Sequence, residues 1–168
     1  APYATVGIFN AASSIVEVFI AVGRVVSTSV FFFLSRKNEH HRYFIYLMVF
    51  GGLFISMSIV FLSYPISLIL FDTNINEISG FIKILSFGVF FTFVFLVFNT
   101  NYLMLNGQDK VAAKIVTSVS VLSFIVAIIY IPLYGILAAS LIILLTRGVM
   151  AFLSFIFYLN HKTLQRSL

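Results

Sequence analysis

The sequence predicts an all-α protein, a polytopic transmembrane helix bundle of five spans forming a single membrane domain over residues 1–168. Three observations lead there. Apolar runs exceed the roughly 20 residues that cross a bilayer's hydrocarbon core. The chain is 61% hydrophobic and only 9% charged, with a mean hydropathy of +1.13. The connections between the runs also alternate in charge, as loops on opposite sides of a membrane do. A soluble domain is nearer a quarter charged. A transmembrane β-barrel would alternate apolar and polar residues over short segments.

The first span covers residues 5–34 and carries Glu17 and Arg24 far from either end. At 1.5 Å rise per residue, Arg24 lies roughly 15 Å from the polar cluster that starts at Ser35. A side chain cannot snorkel that distance, so Arg24 must face protein or a water-filled cavity. On a helical wheel Asn10, Ser13, Ser14, Glu17, Ala21, Arg24 and Thr28 fall within an arc of roughly 100°. This polar stripe predicts a helix that lines something.

The second span covers 43–71, with Pro65 and the pair Gly51–Gly52 as expected bend points. The third covers 81–105 and ends in Asn99, Thr100 and Asn101, residues of a kind that cements helix contacts in membranes. The fourth covers 111–131 and the fifth 135–159, separated by the short turn from Pro132 to Gly135. Arg147 sits near the middle of the fifth span, and Ser140, Ala151, Ser154 and Tyr158 share its face.

Loop charge sets the expected orientation. The connections Ser35–Arg42 and Asn106–Lys110 and the tail from His161 are basic, whereas Asp72–Glu77 is acidic. Seven of the ten Lys and Arg residues fall on one side and only Lys83 lies near the other. The positive-inside rule then puts the C-terminus in the cytoplasm. Tyr3, Tyr43, Tyr46, Tyr130, Tyr134 and Tyr158 lie near segment ends, where aromatic belts form. The chain opens Ala1-Pro2-Tyr3 without a basic leader region, and is expected to be a piece of a longer polypeptide.

Several chemistries are excluded. The chain has no cysteine, so thiolate metal sites and disulfides are ruled out. His40, His41 and His161 all fall in expected solvated positions and none lies inside a span, so haem held by paired membrane histidines is not expected. No phosphate-binding glycine loop and no nucleophile with a base is present. The expectation is therefore no cofactor, no metal and no enzyme. The net charge of +5 lacks the interleaved aromatics of a nucleic-acid module, so nucleic acid is not an expected partner.

The residues expected to carry a function are Arg24 and Arg147 as cavity cations, with Glu17 as the candidate for ion coupling. Asn10, Ser14, Thr28, Ser140 and Ser154 are candidates to line the cavity. Two mid-membrane arginines on converging stripes would form a cationic hollow for phosphate or carboxylate groups. The alternative is that Arg147 pairs with Glu17 and both serve to hold helices together.

Three stretches resemble the C-terminal half of bacterial polysaccharide flippases of the O-antigen type, in the multidrug/oligosaccharidyl-lipid/polysaccharide exporter superfamily. These are Val6-Gly7-Ile8-Phe9-Asn10-Ala11-Ala12, Tyr102-Leu103-Met104-Leu105-Asn106-Gly107-Gln108-Asp109-Lys110 and Ile131-Pro132-Leu133-Tyr134-Gly135-Ile136-Leu137-Ala138-Ala139. Each is short and apolar; their order, spacing and loop polarity make them more specific together. The resemblance implies one lobe of a two-lobe transporter in the bacterial inner membrane. By alternating access it would flip an undecaprenyl-diphosphate-linked oligosaccharide, coupled to an ion gradient. Its implied partners are that lipid-linked substrate, membrane lipids, the N-terminal lobe and the polysaccharide polymerase machinery. A drug or small-solute exporter of the same superfamily and a non-transporting membrane assembly subunit are the alternatives.

Overall fold

The computed structural model describes residues 2–34, 41–71 and 73–167, with side chains over 6–31, 43–71 and 73–161. The connection at 35–40 and the side chains of Tyr3, His41, Arg42, Lys162 and Arg166, used above for orientation, polarity and the interface belt, lie outside the described residues. Among the described residues every regular element is helical. Helix α1 is Pro2–Leu34, α2 is His41–Leu70 and α3 is Ile75–Phe95. A π-helical segment, Leu96–Leu103, prolongs α3, and α4 runs from Asp109 to Ser167.

Among the described residues four helices are long and apolar enough to cross a membrane, with stretches of 26, 28, 29 and 53 residues. The last is broken. Gly135 has φ 64° and ψ −145°, outside the helical region, a conformation that a residue with a Cβ seldom adopts. Thr146 Oγ1 hydrogen-bonds Ser123 Oγ at 2.6 Å. In a straight helix those residues would stand roughly 35 Å apart, so α4 folds back on itself at Gly135. The expected separate segments 111–131 and 135–159 are thus two limbs of one helical element. Its first limb runs helically through Pro132, and the reversal comes three residues later than the expected start of the turn.

One other boundary differs from expectation. The third segment begins at Ile75 rather than residue 81. Asn74, at φ 57°, turns the chain into the helix, and Glu77 in the first turn favours the helix's positive end. Gly52, an expected bend point, lies inside the continuous helix α2. It is buried, and a Cβ added there would meet the Phe93 side chain at 2.6 Å. Its missing side chain is a notch for α3. Around Pro65 the helix continues, while Ser63 and Ser67 donate hydroxyl hydrogen bonds to the carbonyls of Val60 and Ser63.

Helix α3 is the centre of the bundle. Over half of its apolar stretch is buried, at least twice the share of any other helix. A heptad-like row on α2, formed by Met48, Gly52, Ser56, Ile59, Ser63 and Ser67, is buried against it. Ser56 Oγ donates to the Ser86 carbonyl at 2.9 Å and Ser79 Oγ to Ser63 Oγ at 3.2 Å. Seven residues forward on α2 match seven residues back on α3, the register of antiparallel helices. Small hydroxylated residues let such helices approach closely where lipid provides no hydrophobic drive. On the other side α1 runs parallel to α3, joined by the Phe9–Phe81 edge contact at 6.0 Å, by Gly23 under Phe93, and by Asn101 Nδ2 donating to Ser27 Oγ at 2.7 Å. The second limb of α4 is also parallel to α3, with Gly148 against Phe91 and Tyr158 against Phe98. Exposed side chains elsewhere are largely apolar, including Phe50, Phe54, Phe61, Ile69, Leu122 and Phe152, as helices facing lipid require. Tyr158, expected in the interface belt, is buried, tilted against Phe98 and edge-on to Tyr102.

The Phe93 notches give a stability test. Gly52→Ala and Gly23→Ala each place a Cβ under 3 Å from the Phe93 ring, and overpacking of this kind costs about 1–3 kcal/mol. Each is expected to lower the thermal midpoint of the full-length protein in detergent. Gly51→Ala, where the new methyl meets nothing within 4 Å, is expected to be neutral or mildly stabilising.

Candidate functional site: two arginines around one carboxylate

The fold brings Arg24 of α1 and Arg147 of α4 to the same carboxylate. Arg147 Nη2 donates directly to Glu17 Oε1. Arg24 Nη2 stands 3.8 Å from Glu17 Oε2, at the outer limit of an ion pair. The sequence spacing makes a direct Glu17–Arg24 bridge strained, since seven residues on a helix span roughly 10 Å. The structure agrees: the two meet only at long range, and Glu17's close partner comes from another helix. Two cations and one anion leave a formal excess of one positive charge. That excess is centred on Arg24, whose side chain is 61% exposed against 21% for Arg147.

Arg147 reaches Glu17 by crossing α3 over Gly88. A Cβ at Gly88 would lie 3.1 Å from Arg147 Nη1 and 3.2 Å from its Cδ. One turn on, Thr92 shares that face and caps its hydroxyl on the Gly88 carbonyl at 2.7 Å. Between these groups is a hollow of about 270 Å³ lined by Arg24, Thr92, Phe95, Leu96, Thr146, Arg147 and Met150. Arg24 and Arg147 are its charged lining residues. Planar guanidinium forks pair with phosphate or carboxylate oxygens through two parallel hydrogen bonds, so the arrangement is suited to an anion.

The remaining sequence candidates separate into two groups. Asn10, Ser14 and Thr28 are exposed on α1. Ser14 donates to the Asn10 carbonyl at 2.8 Å and Thr28 to the Arg24 carbonyl at 2.9 Å, so they continue the polar stripe outside the hollow. Ser140 and Ser154 do not line open space. Both are fully buried. Ser140 returns its hydroxyl to the Ile136 carbonyl at 3.0 Å. Ser154 donates to the Met150 carbonyl at 2.8 Å and accepts from Asn99 Nδ2 at 3.3 Å. The face they share with Arg147 is packed, and small hydroxyls permit that close contact.

Gly88, Thr92 and Thr146 were not singled out by sequence. A glycine one turn before a threonine in an apolar run is a signal for close approach, but it does not name the arginine that approaches. The asparagines ending the third segment do bond to neighbouring helices. The π-helical segment, which carries the five-residue hydrogen bond from Met104 N–H to the Asn99 carbonyl, sends Asn99 to α4 and Asn101 to α1. Asn101 Oδ1 is buried without a hydrogen-bond partner. His161, expected in solvent, is half-buried with Nδ1 3.2 Å from the Tyr102 hydroxyl. No group of three His, Asp or Glu side chains that could hold a metal occurs among the described residues. Comparison of the chain with protein-family models, curated proteins and solved structures finds no match.

The unequal sharing of Glu17 is measurable as a coupling energy. A double-mutant cycle with Glu17→Gln and Arg147→Gln in the full-length protein is expected to give about 1–3 kcal/mol, as groups in direct contact do. The Glu17–Arg24 cycle is expected to stay below about 1 kcal/mol, the range of long, partly exposed pairs. Thermal unfolding in detergent reads both, and equal couplings would contradict the geometry.

Proposed function

We propose that this chain is part of a transporter that flips an undecaprenyl-diphosphate-linked oligosaccharide across the bacterial inner membrane by alternating access. The observation that carries the reading is the pair of mid-helix arginines sharing one carboxylate beside a hollow. Charged groups at such depth cost roughly 2.5–3.5 kcal/mol each on insertion scales and are generally kept for a function. Two arginines lining one hollow and sharing a single carboxylate, with one cation in excess, favour a diphosphate or acidic sugar as the group bound there. On this reading each limb of α4 crosses the bilayer, giving five spans, and the basic connections put the C-terminus in the cytoplasm. Glu17 is the coupling residue: a cation or proton taken up at its carboxylate competes with Arg147 for it. The cavity is completed by an N-terminal lobe, and the polymerase machinery receives the product.

A second reading has its own observation. The direct Arg147–Glu17 bond ties α1 to α4, as it would in a non-transporting assembly subunit where the ions only join helices. The two readings diverge on Arg24, which contributes little to that bond.

Complementation with the full-length gene in a strain lacking its polysaccharide flippase separates them. Losing a charge-assisted contact of about 1.5–3 kcal/mol weakens binding roughly ten- to a hundredfold. Arg24→Ala is therefore expected to reach the membrane at wild-type level while surface polymer falls and the lipid-linked intermediate accumulates. Wild-type polymer at matched protein level would overturn the flippase reading. Loss of the protein itself from the membrane would favour the assembly subunit.

A further inference from the structure

The π-helical segment aims Asn101 at a helix from which an α-helix would turn it away. Successive α-helical residues are rotated by about 100°. Phe93 meets Gly23 of α1. Counted from that direction along an unbroken α-helix, Thr100 would lie within about 20° and Asn101 about 80° off. Yet Asn101 is the residue that bonds Ser27, one turn beyond Gly23 on α1. The five-residue bond from Met104 N–H to the Asn99 carbonyl accounts for this. A π turn takes up one residue more than an α turn, so Asn101 stands where Thr100 would otherwise stand. Tyr102 is displaced in the same sense, edge-on to Tyr158 and 3.2 Å from His161 Nδ1. The arrangement leaves a defect. Asn101 is fully buried and its Oδ1 has no hydrogen-bond partner, which is unfavourable for an acceptor removed from water.

We propose that Leu96–Leu103 is a two-state register switch. In its second state the extra residue passes into the turn at 104–108, which already holds Gly107 at φ 70°, and the segment winds as an α-helix. Thr100 then faces Ser27, a hydroxyl in place of the amide, so Ser27 keeps a polar neighbour. Asn101 moves into the arc now held by Tyr102, beside Tyr158, and its Oδ1 leaves the place where nothing donates to it. The unpaired oxygen is what keeps the π state from being deeply favoured. The switch goes beyond the transport reading and does not depend on it, but it acts on the same site. Leu96, its first residue, lines the hollow with Arg24 and Arg147, and Ser27 follows Arg24 by three residues on α1. A change of register therefore alters one lining residue of the hollow together with the attachment of the helix that carries its more exposed arginine.

Disulfide trapping reads the two registers directly. The chain has no cysteine, so introduced pairs report alone once any thiol elsewhere in the full-length protein is replaced by serine. Ser27→Cys with Asn101→Cys is expected to bridge readily on oxidation in membranes. Ser27→Cys with Thr100→Cys is expected to bridge as well, about ten- to a thousandfold more slowly, in line with a minor state populated at about 0.1–10%. A fixed π turn would bridge the first pair only. A second measurement keeps Ser27, Thr100 and Asn101 in place. Helix register shifts occur in microseconds to milliseconds, so meta-fluorotyrosine at position 102 is expected to show fluorine relaxation dispersion. Deleting Thr100 removes the extra residue yet leaves Asn101 opposite Ser27 and Tyr102 beside Tyr158, and is expected to abolish that dispersion. A Thr100 pair that does not bridge, or dispersion that is absent from the unsubstituted register or unchanged by the deletion, would overturn the switch.

Discussion

The structure depends on how closely two helices approach Phe93. Gly23 on α1 and Gly52 on α2 both present bare backbone to that ring, and a methyl at either place would overlap it. One aromatic side chain therefore sets the separation of three helices. In a bilayer the partner of a helix is not chosen by escape from water, since lipid is as apolar as leucine. Shape and hydrogen bonds decide it, and a ring in two facing notches is a specific shape. The same short stretch of α3 also faces α4. Gly88 and Thr92 are one turn apart on one face, whereas Phe93 points about 100° away from Thr92. Locking Phe93 between α1 and α2 turns Gly88 and Thr92 toward Arg147.

Polar residues then refine what the notch begins. Ser56, Ser63, Ser79 and Ser86 are buried between α2 and α3 with their hydroxyls bonded. Each would be costly in an apolar setting without a partner, so the pairings discourage sliding by a turn. At the far end of α3 the change to a π-helix loosens the regular ladder over Leu96–Leu103. Asn99 and Asn101 use that segment to reach opposite neighbours, Ser154 of α4 and Ser27 of α1. The central helix thus holds α1 and α4 at both levels, by Phe93 and Gly88 in its middle and by two amides at its end.

Sequence made the large features legible because they depend on length and composition. The all-helical character, the long apolar helices and the reversal near Gly135, which sequence placed in a turn between a fourth and a fifth span, follow from run lengths and one glycine. The partners were not legible, and the reason is geometric. A helical period names the face a residue occupies but says nothing of what lies opposite. Ser140 and Ser154 share Arg147's face yet are sealed against packed helix, while Thr92 and Thr146, on apolar runs with nothing to mark them, line the hollow. Gly52 read as a point of bending because glycine weakens a helix; its use as a notch needed the position of Phe93. The choice between Arg24 and Arg147 for Glu17 likewise needed the placement of two distant helices.

That choice bears on what the site can do. Helices α1 and α4 each pack mainly on α3 and scarcely touch one another, so the Glu17–Arg147 bond is a principal direct tie between them. It is also next to a loosely paired cation, Arg24. An anion entering the hollow, as the transport proposal requires, would meet Arg24 first, because Arg24 is the more exposed and the less firmly paired. To bind both guanidinium groups it must then compete with the Glu17 carboxylate for Arg147. Occupancy of the hollow and integrity of the α1–α4 tie are therefore opposed: a ligand that engages both arginines loosens one wall of the site from the other. For the transport reading this supplies the differential contact that a ligand needs to shift a conformational equilibrium, and it places that contact where the two walls are held together by little else.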